Sequence, residues 1–261
     1  MSTRGILRPG AVGRVFTLER RAPPPDLAPF IDSHWLVAWD RRGLPAYESA
    51  VMAHPSVHLV VEADGAQVYG VTRHRYVRRL EGAGWGVGTK FLPGGFAPFA
   101  GVRAMSALTD RHVPASDLLG DDARLLNATQ DAEALVRAVQ ALLRARLPAA
   151  SDPRLALVQE VVADMQRSAP DESVAALADR HNLSVRTLQR LFAQYVGVGP
   201  KWVMQRYRLH DAIERLDRRR RQDWTRFALD LGYYDHAHFV RDFRALVGHS
   251  PAEYESQTLG R

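Results

Sequence analysis

The chain of 261 residues contains no cysteine. That excludes disulfide staples, thiolate metal sites, redox-sensing thiols and any mechanism that needs a cysteine nucleophile, and it suits a reducing compartment. Also lacking is any run of roughly 18 apolar residues of the kind that spans a bilayer, and no apolar stretch follows the first basic residues as a secretory leader requires. A cytoplasmic location without a membrane partner is the expectation. There is no glycine-rich phosphate loop, no Gly-x-Ser-x-Gly elbow and no His-Glu-x-x-His zinc motif, so neither an enzyme nor a cofactor is indicated. What the chain does have is length for two cores, with 46% hydrophobic and 25% charged residues. Its formal net charge is +6, which suits a polyanionic partner once the charge is located. Residues 181–226 concentrate it, with Arg186, Arg190, Lys201, Arg206, Arg208, Arg215, Arg218–Arg221 and Arg226 set against only Asp211, Glu214, Asp217 and Asp223.

The first hundred residues break into short apolar runs divided by turn residues, which reads as β-rich. Strands are expected over Val12–Leu18, Ser33–Trp39, Val57–Glu62, Gln67–Val71, Tyr76–Leu80 and Trp85–Phe91, with a hairpin turn at Asp64-Gly65 and a tight turn at Pro93-Gly94-Gly95. A barrel-like closure is one form such a domain takes. From Ala123 to Leu147 the pattern becomes helical, and an alanine and proline segment, 148–153, interrupts it. The fold class is therefore α+β. Residues 1–121 form a β-rich effector-binding or dimerisation domain, 122–152 a helical linker and 153–261 an all-α domain.

Within that last domain two segments match at an offset of 51 residues: Ser184, Leu188, Arg190, Phe192, Gly197 and Pro200 are answered by Asp235, Phe239, Arg241, Phe243, Gly248 and Pro251. Ser184 and Asp235 stand where an N-cap accepts free backbone N–H groups, and Gly197 and Gly248 where a left-handed C-terminal residue is wanted. Each segment reads as the second helix of a helix-turn-helix unit. In the first, Leu188, Leu191 and Phe192 make a buried stripe against Val174, Leu177 and Ala178, leaving Arg186, Thr187, Gln189 and Arg190 outward. Arginine offers two donors to guanine and glutamine a donor–acceptor pair to adenine. In the second, Phe239, Phe243 and Leu246 are buried, and His236, His238, Arg241 and Arg244 are the outward candidates. Two adjacent reading helices imply double-stranded DNA as partner. The first copy, with two arginines and a glutamine, is expected to supply more base specificity than the second, where Asp235 and Asp242 stand nearby.

These residues resemble the DNA-binding domain of AraC/XylS-type transcriptional regulators, through LSVRTLQRLF (183–192), GVGPKWVMQRYRLHDA (197–212) and LGYYDHAHFVRDFRALVGHSPAEY (231–254). The resemblance implies two helix-turn-helix units joined by a long helix, with base contacts at Arg186, Gln189, Arg190, His236, Ala237, His238 and Arg241. HPSVHLVVE (54–62), VYGV (68–71) and GVGTKFLPGGFAPFAG (86–101) are similar to the companion domain of a PGGF-containing subset, which implies effector sensing, self-association or both. A small-molecule effector, a homodimer and contact with RNA polymerase are partners such a regulator admits.

Trp35, Trp39, His58, Tyr69 and Phe91 are the candidates for an effector cavity, and a packed core is the other use of the same aromatics. His54, His58 and Glu62 share one strand face by their even spacing, so a cupin-like metal enzyme, or a small-molecule binding protein with a basic helical assembly domain, is the alternative function.

Overall fold

The computed structural model describes residues 12–101, 103–127, 131–218 and 223–259. Eight strands form in chain order: β1 (Thr17–Arg21), β2 (Ile31–Arg41), β3 (Tyr47–Val51), β4 (His58–Glu62), β5 (Gly65–Tyr69), β6 (Tyr76–Leu80), β7 (Gly82–Phe91) and β8 (His112–Pro114). Six pair antiparallel in the order β1-β2-β7-β4-β5-β8, while β3 and β6 make a separate two-stranded ribbon. The barrel-like closure is corrected: β1 and β8 are the two edges of the large sheet and do not pair, so the sheet stays open.

The first expected strand is displaced. Gly13 takes φ +80 and donates its N–H to the Phe16 carbonyl at 2.8 Å, making residues 13–16 a turn, and pairing with β2 starts only at Thr17. The hairpin closes one residue early, since Glu62 pairs with Gly65 and leaves Ala63-Asp64 as its two-residue loop. Neither β3 nor β8 is visible in the sequence. β8 has three residues, too few for an alternation, and β3 is mostly half-buried against its single partner.

Alternation along β2 sends His34 and Leu36 into a core and Trp35, Val37 and Trp39 to the opposite face. On the core side Ile31, Leu59, Val61, Val68, Val87 and Phe91 pack with Phe96, Phe99 and the helix α2 (Ala132–Arg144), which buries Leu135, Val136, Val139, Leu142 and Leu143. The single helix expected over 123–147 is in fact two pieces, a 3-10 segment at Asp121–Asn127 and then α2, restarted at Asp131, whose carboxylate accepts the Glu133 N–H. A short helix, α1 (Ser116–Leu119), precedes them.

His34 ties sheet to helix, its Nδ1 2.9 Å from Thr89 Oγ1 and its Nε2 3.2 Å from Gln140 Nε2. Burial lowers its pKa from 6.5 to about 4. The neutral ring therefore belongs to the folded state: stability is fully present above pH 6.5 and is lost as pH falls toward 4, by about 3 kcal/mol from this residue. Thermal melts of wild type and His34→Gln between pH 7 and 4 check it, the variant losing less stability across that window.

The C-terminal helices are α3 (Pro153–Arg167), α4 (Val174–Arg180), α5 (Val185–Tyr195), α6 (Pro200–Arg218), α7 (Trp224–Asp230), α8 (His236–Val247) and α9 (Pro251–Leu259). They build two cores that share α6. Leu177, Ala178, Leu188, Phe192 and Val203 belong to the first, and Ala212, Ile213, Phe227, Phe239 and Phe243 to the second. The β-rich region reaches into both, through Val71 in the first and Met52 in the second. The Pro93 turn forms as expected, with Gly94 at φ +80 lying against Leu155, Val158 and Tyr195.

Candidate nucleic-acid interface

Each helix-turn-helix pair is fixed locally by its caps. Ser173 and Asp223 cap α4 and α7, and Ser184 and Asp235 cap α5 and α8, accepting the Thr187 N–H at 3.1 Å and the His238 N–H at 2.7 Å. Gly197 and Gly248 follow the reading helices at φ +98 and φ +87. The repeat is not uniform, however. Leading helices α4 and α7 start 50 residues apart, whereas α5 and α8 start 51 apart. The second turn therefore carries one extra residue. Leu183 and Tyr233 both donate to the carbonyl of the alanine that opens the turn, Ala178 and Ala228, so Tyr234 is the insertion. It is 90% exposed directly before α8, while Tyr233 is buried. Removing the Asp235 cap with Asp235→Ala is expected to cost about 1 kcal/mol in a denaturant titration and to fray the start of α8.

Buried stripes set which side chains remain outside. Leu188, Leu191 and Phe192 turn α5 inward, exposing Arg186, Gln189 and Arg190. Phe239, Phe243, Leu246 and Val247 do the same for α8, exposing His236, Ala237, Arg241 and Arg244. Three of the eight expected contacts are engaged within the protein. Thr187 Oγ1 lies 2.9 Å from Ser184 Oγ, His238 Nε2 lies 3.4 Å from Asp242 Oδ2, and Arg244 reaches Glu253 at 3.5 Å. Arg186, Arg190 and Arg241 have no carboxylate partner among the described residues. The basic stretch also thins: Arg206 is buried, donates to the Arg73 carbonyl at 3.0 Å and lies over the Trp202 ring, and Arg208 donates to the Glu172 carbonyl. Burial lowers Arg206 to about 10, still protonated at neutral pH. Of the run Arg218–Arg221, residues 219–221 lie outside the described residues.

The helix α6 joins the units. At 1.5 Å per residue its 19 residues span about 28 Å, comparable with one turn of duplex DNA. Its middle faces a cleft of about 1600 Å³ on the open face of the large sheet. Trp35, Trp39, His58 and Tyr69 line that cleft, but Phe91 does not: fully buried, it packs edge-on against Phe96 at 4.9 Å on the other face. His58 is held uncharged, its pKa lowered to about 3 by burial and then by Lys90. The three groups of the metal alternative have separate partners, His54 on the His210 ring, His58 on Trp35 Nε1 and Glu62 on Arg78. Among the described residues no three His, Cys, Asp or Glu groups cluster to hold a metal, and no helix is long and apolar enough to cross a membrane.

This architecture is that of a helix-turn-helix domain, and residues 177–257 match the family of that description. Residues 19–114 match a domain of unknown function (DUF6597). The C-terminal domain is thus a helix-turn-helix domain, and the relatives it matches are named as HTH-type transcriptional regulators. The HTH-type transcriptional activator RhaS of Pectobacterium carotovorum is 31% identical over 105 residues, which cover 40% of this chain and 37% of that protein. The chain thus spans little more than a third of that relative's length. A transcriptional regulator structure from Chromobacterium violaceum, with an AraC-type DNA-binding domain, is 26% identical and covers 40% of this chain and 93% of its own, with a TM-score of 0.37. Fatty-acid-bound ToxT of Vibrio cholerae covers 95% of this chain and 98% of its own at 10% identity and a TM-score of 0.38.

Proposed function

We propose that the protein is a sequence-specific DNA-binding transcription regulator that reads two neighbouring major grooves with α5 and α8. The observation that carries this reading is the pair of capped helices, each with buried aromatic or aliphatic residues behind and exposed arginine in front, Arg186 and Arg190 on α5 and Arg241 on α8, joined by one continuous helix. Arg186, Gln189 and Arg190 make the main base contacts. His236 and Arg241 make fewer, and Thr187, His238 and Arg244 serve first as cap, helix brace and tie to α9. Residues 1–121, the companion domain with its Pro93-Gly94-Gly95-Phe96 turn, sense an effector in the cleft. The 122–152 connector is anchored to the same core through α2, and 153–261 bind DNA. The protein works in the cytoplasm, as a homodimer where its operator is paired, and addresses RNA polymerase.

Footprinting on genomic fragments in a salt series tests the reading. Protection of two adjacent major grooves, with affinity falling steeply as salt rises, is expected. Selective binding that survives Arg190→Ala and Arg241→Ala together rules it out.

A further inference from the structure

We propose that the cleft takes a flat aromatic ligand, neutral or anionic, laid on the outer face of Trp35 or Trp39. This rests on the effector reading above and names the ligand class for that site. Strand register places Gly88, Gly86 and Gly84 of β7 opposite Trp35, Val37 and Trp39 of β2. A Cβ at Gly88 would lie 2.0 Å from Trp35 Cε2, and one at Gly84 would lie 2.3 Å from Trp39 Cζ2. Each indole therefore lies down on the backbone of β7. Glycine weakens a central strand, and alternating glycines on one face mark a close approach to the backbone. Here the approaching groups are the protein's own rings; both line the cleft, and Trp39 also packs against Phe16 and Leu80.

The ring edges are already held. Trp35 Nε1 donates to His58 Nδ1 at 3.4 Å and Trp39 Nε1 to the Glu81 carbonyl at 3.1 Å. What remains for a ligand is π surface. Such a face accepts a cation, a sugar or another aromatic ring, and the surroundings choose among them. A cation is disfavoured because arginine and lysine outnumber aspartate and glutamate in the lining, with Arg20 cross-strand from Trp35. A sugar needs polar partners around its rim, but Glu62 and Arg78 pair at 2.8 Å and Lys90 and Asp32 at 3.4 Å. An aromatic ring needs only the stacking surface. The two indoles stand four residues apart on β2, about 13 Å, with Val37 between them, so a ligand of two fused rings stacks on one indole at a time. Across the cleft lie Tyr207 and Glu214 of α6, the helix that joins the two reading units.

The test is calorimetric titration of the full chain with 2-naphthoate and with its saturated counterpart, decahydro-2-naphthoate, which keeps the charge and approximate size but has no π face. Binding of 2-naphthoate about twofold to twelvefold tighter than its counterpart is expected, since an aromatic pair adds about 0.5–1.5 kcal/mol. Trp35→Leu and Trp39→Leu should each reduce that preference, and the two together should abolish it. Gly86→Ala is the variant expected to fold regardless, because its methyl meets Val37 and Glu62 at 3.5 Å, an ordinary contact. It should weaken 2-naphthoate severalfold by raising the floor between the indoles. Equal affinity for the two probes, no binding of 2-naphthoate at millimolar concentration, or affinity unchanged in a folded Gly86→Ala protein overturns the proposal. Footprinting of the ligand-free protein decides the regulator reading separately. Naphthoate binding that leaves the footprint unchanged upholds the ligand class and removes the effector role.

Discussion

Arg186→Ala combined with Arg190→Ala is expected to lower the preference for operator over random DNA by about 100-fold or more, because each bidentate arginine–guanine contact discriminates by about 1–3 kcal/mol. Both side chains stand exposed on α5, and neither has a carboxylate partner among the described residues, so nothing inside the protein must be broken for them to reach a base. Arg241→Ala alone should relax specificity less than Arg190→Ala alone. On α8 the cap Asp235 and the brace Asp242 place negative charge beside the reading face, and His238 is turned toward Asp242. Competition gel shifts with operator and scrambled duplexes read these differences. An Arg241 variant that loses more specificity than the Arg190 variant would reverse the assigned order of the two helices. The fold should be untouched, since the substituted side chains are exposed and support no core contact.

Gly232→Ala is expected to lower unfolding free energy by about 3 kcal/mol or more, combining left-handed backbone strain with a steric clash. Gly232 takes φ +74 in the turn between α7 and α8, and an added Cβ would lie 2.0 Å from the Pro170 carbonyl oxygen. Pro170 precedes α4, so this contact sets the second unit directly against the first. Relief of the clash must move one unit relative to the other. Operator affinity should therefore fall even in the fraction that remains folded, whereas single half-site binding through α5 should persist. Gly199→Ala is the control: its Cβ would meet nothing within 4 Å, so stability should change by less than about 0.5 kcal/mol. Denaturant melts of the two variants side by side give the answer. Equal stabilities would mean that the Pro170 contact does not hold the two units together.

The reading helices were legible in the sequence because their signals are local. A cap residue, an apolar residue every three or four positions and a terminal glycine all act within one or two turns of chain, and α5 and α8 begin directly after the expected caps Ser184 and Asp235. The extra residue at Tyr234 is hidden in the 51-residue offset, because that offset holds only for the reading helices. The leading helices, aligned separately on Ser173 and Asp223, carry the signal that would have found it. Thr187, His238 and Arg244 matched a reading helix by position, but Thr187 and His238 bond to partners three and four residues away, Ser184 and Asp242, and Arg244 reaches Glu253 on α9.

For the β-rich region the sequence by itself determined class and most strand positions, because alternation is also local. It did not determine closure, the partners of β3 and β8, or which face each aromatic occupies. Those depend on register between strands far apart in the chain. Trp35 and Phe91 both sit in strands of alternating pattern, and the pairing of β2 with β7 puts one indole on the cleft floor and sends the phenyl ring into the core. The same dependence on distant pairing explains why the strand expected over Trp85–Phe91 gave no sign that Gly84 and Gly88 leave room for two rings supplied from β2. It explains as well why Arg206 and Arg208 counted as free positive charge until the segments that bury them, around Arg73 and Glu172, were brought alongside α6. Periodicity fixes which side of an element is apolar; only the tertiary structure decides what that side meets.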